Sequence, residues 1–360
     1  MVNIERFVER HLPNGYSEAY VVEPLQGGIS SVHYKVIPNG ETEKPFLVTI
    51  YPEPKNWWKL DKEIALRQLL EQDADVPIPA ILDTGIDNID QTDTPFLIRE
   101  FISGLELDNL LEHADSLGVS DSNTAEVAYD LGFKLGKLHS HRFFLFGLIT
   151  DVDKVSDSPR DWKDYIMRDF ETQSRMIKHH DSNKYIGEIP VQTIQMLARA
   201  TEKFAGIHSA ALDSVKCSRI THGDARFANF IAGFTPTDRL TINAFIDMEW
   251  ALAGDPEIDL TYIENWLHFS KYKDNFEAGR SKLIDGYRQT HEISTNYTEK
   301  RLLYHALRSL TYLAAVSKFD QQYYLQSNPR NASYVQGHVD ILQSLIRGNA
   351  LEDVNIKSLS

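Results

Sequence analysis

The stretch Ile220-Thr221-His222-Gly223-Asp224-Ala225-Arg226-Phe227-Ala228-Asn229 sets an acid and an amide five residues apart, and Asp247 follows eighteen residues later in Ile246-Asp247-Met248-Glu249. Phosphoryl transfer to a hydroxyl calls for such a set. One carboxylate takes the proton of the attacking hydroxyl, while an amide and a second carboxylate hold magnesium on a nucleoside triphosphate. The plainer alternative is that these are turn-capping side chains, a common use of Asp and Asn. That alternative leaves the ordered set of three at this spacing unexplained.

The elements that must position these residues are readable around them. Phe230-Ile231-Ala232 and Thr241-Ile242-Asn243-Ala244-Phe245-Ile246 read as two strands of a small β island. Asn229 precedes the first and Asp247 follows the second, so an antiparallel pairing brings their ends together. Upstream, strands are expected over 19–22, 32–36 and 46–51, the last two forming a hairpin around Pro38-Asn39-Gly40. Leu60, Ile64, Leu66, Leu69 and Leu70 have helical spacing over 58–70, with Pro77 and Pro79 beyond, and Phe96–Ile102 reads as a strand closed by Ser103-Gly104. After Gly104 the pattern turns helical, with candidates near 124–141, 161–178, 190–207, 272–290 and 298–317. The expected boundary lies near 102–105, dividing the chain into 1–102 and 103–360.

With 360 residues, 42% hydrophobic and 25% charged, the chain has material for two cored lobes. Its 37 Lys and Arg against 52 Asp and Glu give a net charge of −15, which argues against a nucleic-acid partner. A single cysteine, Cys217, rules out an intrachain disulfide and suits a reducing compartment. The N-terminus lacks a signal-peptide core, and the apolar runs are too short to span a bilayer. A cytoplasmic protein with no membrane partner, monomeric or homodimeric, is the expectation.

His222-Gly223-Asp224 with Asn229 and then Asp247 closely resembles the catalytic loop and metal motif of the aminoglycoside phosphotransferase and choline kinase-like family, relatives of the protein kinases. The resemblance extends to Gly254-Asp255-Pro256 and Asp259, to Gly27-Gly28-Ile29-Ser30, and to Leu131-Gly132 with Leu138-His139. It implies an α+β, bilobal protein kinase-like fold with a β-rich N-terminal nucleotide-binding lobe and a mostly helical C-terminal catalytic and substrate-binding lobe. It also implies an ATP-dependent small-molecule kinase, with GTP an open alternative, that moves the γ-phosphate to an alcohol group with the help of Mg2+. Asp224 becomes the catalytic base or hydroxyl-orienting carboxylate, and Asn229 and Asp247 the metal ligands. Gly27, Gly28 and Ser30 would bring backbone amides to the phosphates. Backbone groups near Glu100, Phe101 and Ile102 would meet the adenine edge.

Around this set, His222 reads as a structural prop for the loop and Asp259 as a buried acceptor for loop amides. Glu249 reads either as an outer acid near the metal or as a solvated side chain. Arg226 could neutralise a transferring phosphate or pair within the loop. One departure stands out: in Leu47-Val48-Thr49-Ile50-Tyr51 the family usually has Lys or Arg where this chain has Thr49. That cation would hold the α- and β-phosphates and pair with an acid on the following helix, here Glu63. Lys35, Lys55, Lys59 and Lys62 are the substitutes considered, Lys35 less favoured because alternation sets it opposite Tyr34. The acceptor is expected to be a small hydroxylated molecule. It would be cationic if Asp161, Asp164 and Glu264 hold an amine beside Trp162 and Trp266. The rival reading, resting on Thr49, is a catalytically weak pseudokinase that senses a nucleotide or metabolite.

Overall fold

The computed structural model describes residues 4–12, 19–25, 31–40, 43–71, 73–89, 92–156, 159–179, 181, 184–270, 276–328 and 330–359. Strands β1 (Tyr20–Leu25), β2 (Val32–Pro38), β3 (Phe46–Ile50), β4 (Ile81–Ile89) and β5 (Thr92–Glu100) form one antiparallel sheet in the order β1-β2-β3-β5-β4. Period-two alternation gives this sheet two different faces. Phe46, Val48 and Ile50 of β3 join Phe96 and Ile98 of β5 under helix α1 (Ile4–His11), which contributes Phe7 and Val8. The opposite face carries the cross-strand partners His33–Thr49, Lys35–Leu47, Leu47–Arg99 and Thr49–Leu97. Lys35 thus shares a face with Leu47 and His33, so alternation does not turn it away from the site as expected.

Helix α2 (Trp58–Leu70) has the bounds its spacing predicts. It stops well before Pro77, and beyond its end Asp73 accepts from the N–H of Asp75 at 3.0 Å in a local turn. Leu60 of α2 packs on Tyr51 and Leu97 under the sheet, while Leu66 and Leu70 enter the main core of the helical part. The helix therefore spans both halves. Helix α1 and strand β4 were not expected. The first is one short amphipathic stretch, and the second alternates its apolar residues with Asp83, Asp87 and Asn88 as an edge strand.

The chain leaves the first sheet at Glu100 and enters a three-stranded sheet through β6 (Leu105–Glu106), which pairs with Phe230–Phe234, itself paired with Leu240–Phe245. Helices follow at Asp121–Ser140, Trp162–Lys178, Val191–His208, Glu257–Phe269, Glu277–Tyr287, Tyr297–Val316 and Asn331–Ile346. The first begins with a reciprocal cap, Ser120 accepting from Asn123 N–H at 3.2 Å while Asn123 accepts from Ser120 N–H at 3.0 Å. It lies so close to Glu277–Tyr287 that a Cβ on Gly132 would stand 1.9 Å from the Leu283 carbonyl oxygen. Leu303, Ala306, Leu307, Leu310, Leu313 and Ala314 are buried along Tyr297–Val316, as their spacing requires. Part of the candidate helix 272–290 falls outside the described residues. The sheet-rich N-terminal and helical C-terminal regions correspond to the expected kinase-like architecture. No described helix is long and apolar enough to cross a membrane.

Candidate active site

The β island places the loop 222–229 beside Asp247 as its pattern predicts. Phe230 pairs with Phe245, and Ile246 N–H donates to the Asn229 carbonyl at 3.0 Å, so the residues flanking the two strands meet. The Asn229 amide nitrogen donates to the Asp224 carbonyl at 2.9 Å and to Asp224 Oδ2 at 3.2 Å. That spends the amide's donors and leaves its oxygen as the atom a cation would use. Asp247 takes left-handed backbone angles, φ 58° and ψ 46°, at the turn after the second strand. Asp224, Asn229 and Asp247 line one cleft of about 670 Å³ between the sheet and the helical part.

The loop itself is held by buried polar groups. Asp259 accepts from His222 N–H at 2.7 Å, Gly223 N–H at 3.0 Å and His139 Nε2 at 3.0 Å. His222 Nε2 donates to the Ile246 carbonyl at 3.0 Å, which fixes its tautomer and leaves Nδ1 to accept from Asp224 N–H at 3.4 Å. Burial pushes the His222 imidazole down, against the pull of Asp259, Asp224 and Asp247, which suits a neutral prop. Gly223 has φ 78°, and a Cβ there would lie 1.8 Å from the Trp250 carbonyl oxygen, so no other residue fits.

Charge around the three residues is concentrated. Asp247's carboxyl is raised first by burial and then by Glu249 and Asp224. A divalent cation among these groups would reverse that repulsion, and this is the feature of the site that fits Mg2+. Among the described residues no three or more His, Cys, Asp or Glu side chains form a metal cage. A part-set of protein ligands is what magnesium uses when a substrate's phosphates complete its shell. Arg226 Nε stands 3.1 Å from Asp224 Oδ2, on the cleft side, and Arg308 Nη2 stands 3.5 Å from Oδ1, with its guanidinium 4.2 Å from the Tyr262 ring. Glu249 is ion-paired with Lys59.

The cofactor residues are distributed unevenly. Gly27, Gly28 and Ser30 lie outside the described residues. Thr49 is 1% exposed and bonded to His33 Nδ1 at 3.1 Å, and His33 Nε2 reaches Ser31 Oγ at 3.0 Å. Thr49 therefore supports a neighbour and does not itself line the cleft. Glu100 N–H donates to the Ala80 carbonyl at 2.9 Å and Phe101 N–H to Pro45 at 3.2 Å, so neither is available to a base. Glu100 and Ile102 stand outside the cleft lining, whose apolar wall near the sheet is Leu25 and Leu47.

The amine-binding group does not assemble, and that expectation is corrected. Glu264 is buried and saturated: it takes Tyr297 Oη at 2.8 Å, Arg301 Nε at 2.5 Å, His305 Nε2 at 2.9 Å and Leu359 N–H at 2.8 Å. Trp162 is fully buried, donating to Tyr304 Oη at 2.9 Å, and Asp161 caps its helix by accepting from Asp164 N–H at 2.8 Å. Asp164 pairs with Arg168 at 2.7 Å. Sequence reasoning passed over Arg308, His33 and Arg99. Only Arg99 carried a local signal, a charge inside the apolar run Phe96-Leu97-Ile98-Arg99.

Solved structures share this arrangement of lobes. The chain superposes on spectinomycin phosphotransferase APH(9)-Ia, solved with ADP and spectinomycin, with a TM-score of 0.55 at 13% identity, covering 95% of this chain and 97% of that one. Macrolide 2'-phosphotransferase MphH from Brachybacterium faecium gives 0.55 at 14% identity, covering 94% and 97%. Aminoglycoside phosphotransferase APH(3'')-Id from Streptomyces rimosus gives 0.53 at 15%, covering 86% and 99%. At such identities the likeness establishes the fold alone. No curated protein sequence matches the chain. A family model described as "Phosphotransferase enzyme family" matches residues 21–293, most of the length and all of the stretch from Ile220 to Asp247, and on that ground the chain belongs to the APH phosphotransferase family.

Proposed function

We propose that the protein is an ATP-dependent phosphotransferase that moves the γ-phosphate to an alcohol group of a small hydroxylated molecule. The observation that carries the reading is the convergence of Asp224, Asn229 and Asp247 on one cleft in a chain of this family. Asp224 holds the acceptor hydroxyl and takes its proton as the hydroxyl oxygen attacks the γ-phosphorus. The bond from that phosphorus to the bridging oxygen breaks, and the diphosphate leaves. Asn229, through its amide oxygen, and Asp247, through its carboxylate, would hold Mg2+. Bound there, the ion supplies positive charge that neutralises the phosphate oxygens. Asp259, His222 and Gly223 keep the loop rigid, so that Asp224 is presented without reorganisation.

Asp224's two oxygens face different neighbours, Arg226 on the cleft side and Arg308 on the side of helix Tyr297–Val316. Arg226 faces the cleft where the transferring phosphate would come, and Arg308 steadies the carboxylate from behind. The test is nucleotide turnover with Mg2+ across amino sugars, macrolides and other hydroxylated metabolites. Asp224→Asn should lose at least about 100-fold in turnover, the usual scale of acid–base assistance, while binding ADP as the parent does. Equal turnover in the two proteins refutes the assignment.

A further inference from the structure

The position that usually carries a phosphate-holding cation is filled by Thr49, a buried side chain without charge. Thr49 is buried beneath His33, which in turn reaches Ser31 at the end of the glycine-containing segment. The acid expected to pair with that cation, Glu63 of α2, is present and faces the cleft. Its partner comes from a different strand. Arg99 of β5 forms an ion pair with Glu63, and Tyr51 Oη donates to the same carboxylate at 3.1 Å.

Strand register explains how Arg99 reaches this place. Leu47 is opposite Arg99 and Thr49 is opposite Leu97, so Arg99 is the diagonal neighbour of Thr49 on the cleft face. Diagonal neighbours are about 7–8 Å apart at Cα, within the reach of an arginine side chain. The influence of Arg99 is visible on His33, whose imidazole is pushed down to about 4 by burial and by that nearby positive charge. The other candidate cations are engaged by other partners, although Lys59 and Lys62 also line the cleft. Lys59 pairs with Glu249, Lys62 donates to the Ala251 carbonyl, Lys55 pairs with Glu53, and Lys35 lies over the Phe101 ring toward Glu23.

We propose that Arg99 is the residue that holds the nucleotide's phosphates in this chain, with Glu63 positioning it, so that the anchoring cation has moved from the third strand to the fifth. The inference rests on the nucleotide-binding reading given above. A guanidinium suits the task, because one N–H stays on Glu63 while the rest of the fork faces phosphate oxygens. It also accounts for a threonine at position 49: a cation at that diagonal position would stand next to Arg99 and repel it.

The test is equilibrium binding of ADP and of adenosine, with Mg2+, by titration calorimetry. The parent is compared with Arg99→Met and with the double variant Arg99→Met/Glu63→Gln, which leaves no unpaired carboxylate and guards against misfolding. ADP affinity should fall about 10- to 100-fold in both, the scale of a lost charge-assisted contact, while adenosine affinity changes less than about 3-fold. Adding Thr49→Lys to Arg99→Met should recover ADP affinity by at least about 5-fold, and Thr49→Lys alone should not raise it. Unchanged ADP affinity in folded Arg99→Met/Glu63→Gln, or an equal loss for adenosine, overturns the inference and leaves the function standing. A parent protein that binds neither ligand overturns the nucleotide reading itself.

Discussion

Lys62 offers a sharp test of how α2 is seated on the helical half. Its side chain is completely buried (0% exposed), and its ammonium donates to the Ala251 carbonyl at 3.0 Å. Burial pushes its titration down to about 7 from an ordinary 10.5, with Glu249 opposing only in part. In the window between those values the unfolded chain binds a proton that the folded chain has released. Stability therefore rises as pH climbs from about 7 toward 10.5, and the gain is lost again as pH falls back to about 7, below which this residue adds no further change. At 1.36 kcal/mol for each tenfold step in proton affinity, the cost to the folded state is roughly 4 kcal/mol at pH 7 and roughly 1 kcal/mol at pH 9.5. Urea unfolding of the parent should accordingly show a gain of about 3 kcal/mol between those two conditions from this residue. Lys62→Met keeps the length of the side chain and removes the charge. Its unfolding free energy should lack that gain, and subtracting the two profiles cancels the other titrating groups. Parallel profiles, agreeing within about 0.5 kcal/mol, would show that Lys62 stays charged at neutral pH and that its burial has been misread.

The remaining predictions concern the catalytic loop. Asp259→Asn must turn an amide N–H2 toward at least one of the three donors that the carboxylate now accepts, and should lower the unfolding free energy by about 1–3 kcal/mol in denaturant titration. No change there would mean the carboxylate is not the loop's clamp. Gly223→Ala forces a Cβ into the Trp250 carbonyl at a positive φ, and should cost about 2–5 kcal/mol with a matching fall in melting temperature. Asp247→Asn removes the charge that Glu249 and Asp224 repel. It should raise the Mg2+ concentration needed for half-maximal ADP binding by at least about 10-fold while leaving the melting temperature of the metal-free protein equal or higher. An unaltered Mg2+ requirement would take Asp247 out of the metal site.

The legible parts of the chain were those governed by near neighbours. The β island could be drawn because Asn229 and Asp247 abut two apolar runs, and one antiparallel pairing then places both. Helix α2 and helix Tyr297–Val316 announced themselves by spacing. Strand β4 was hidden because an edge strand with one wet face carries acids between its apolar residues. The proposed amine-binding acids failed for a different reason. Local pattern cannot tell an acid on a helix surface from one that, like Glu264, a distant tyrosine, arginine, histidine and the C-terminal backbone surround.

By itself the sequence determined the family, the order of sheet and helices and the spacing that brings Asp224, Asn229 and Asp247 to one cleft, since each is written in residue type and short-range spacing. It also showed that position 49 lacks a cation. Where the compensating charge lies was decided only by the fold. The partner of Glu63 depends on strand register between β3 and β5, which puts Arg99 diagonal to Thr49, and register is a property of pairing that the intervening chain does not spell out.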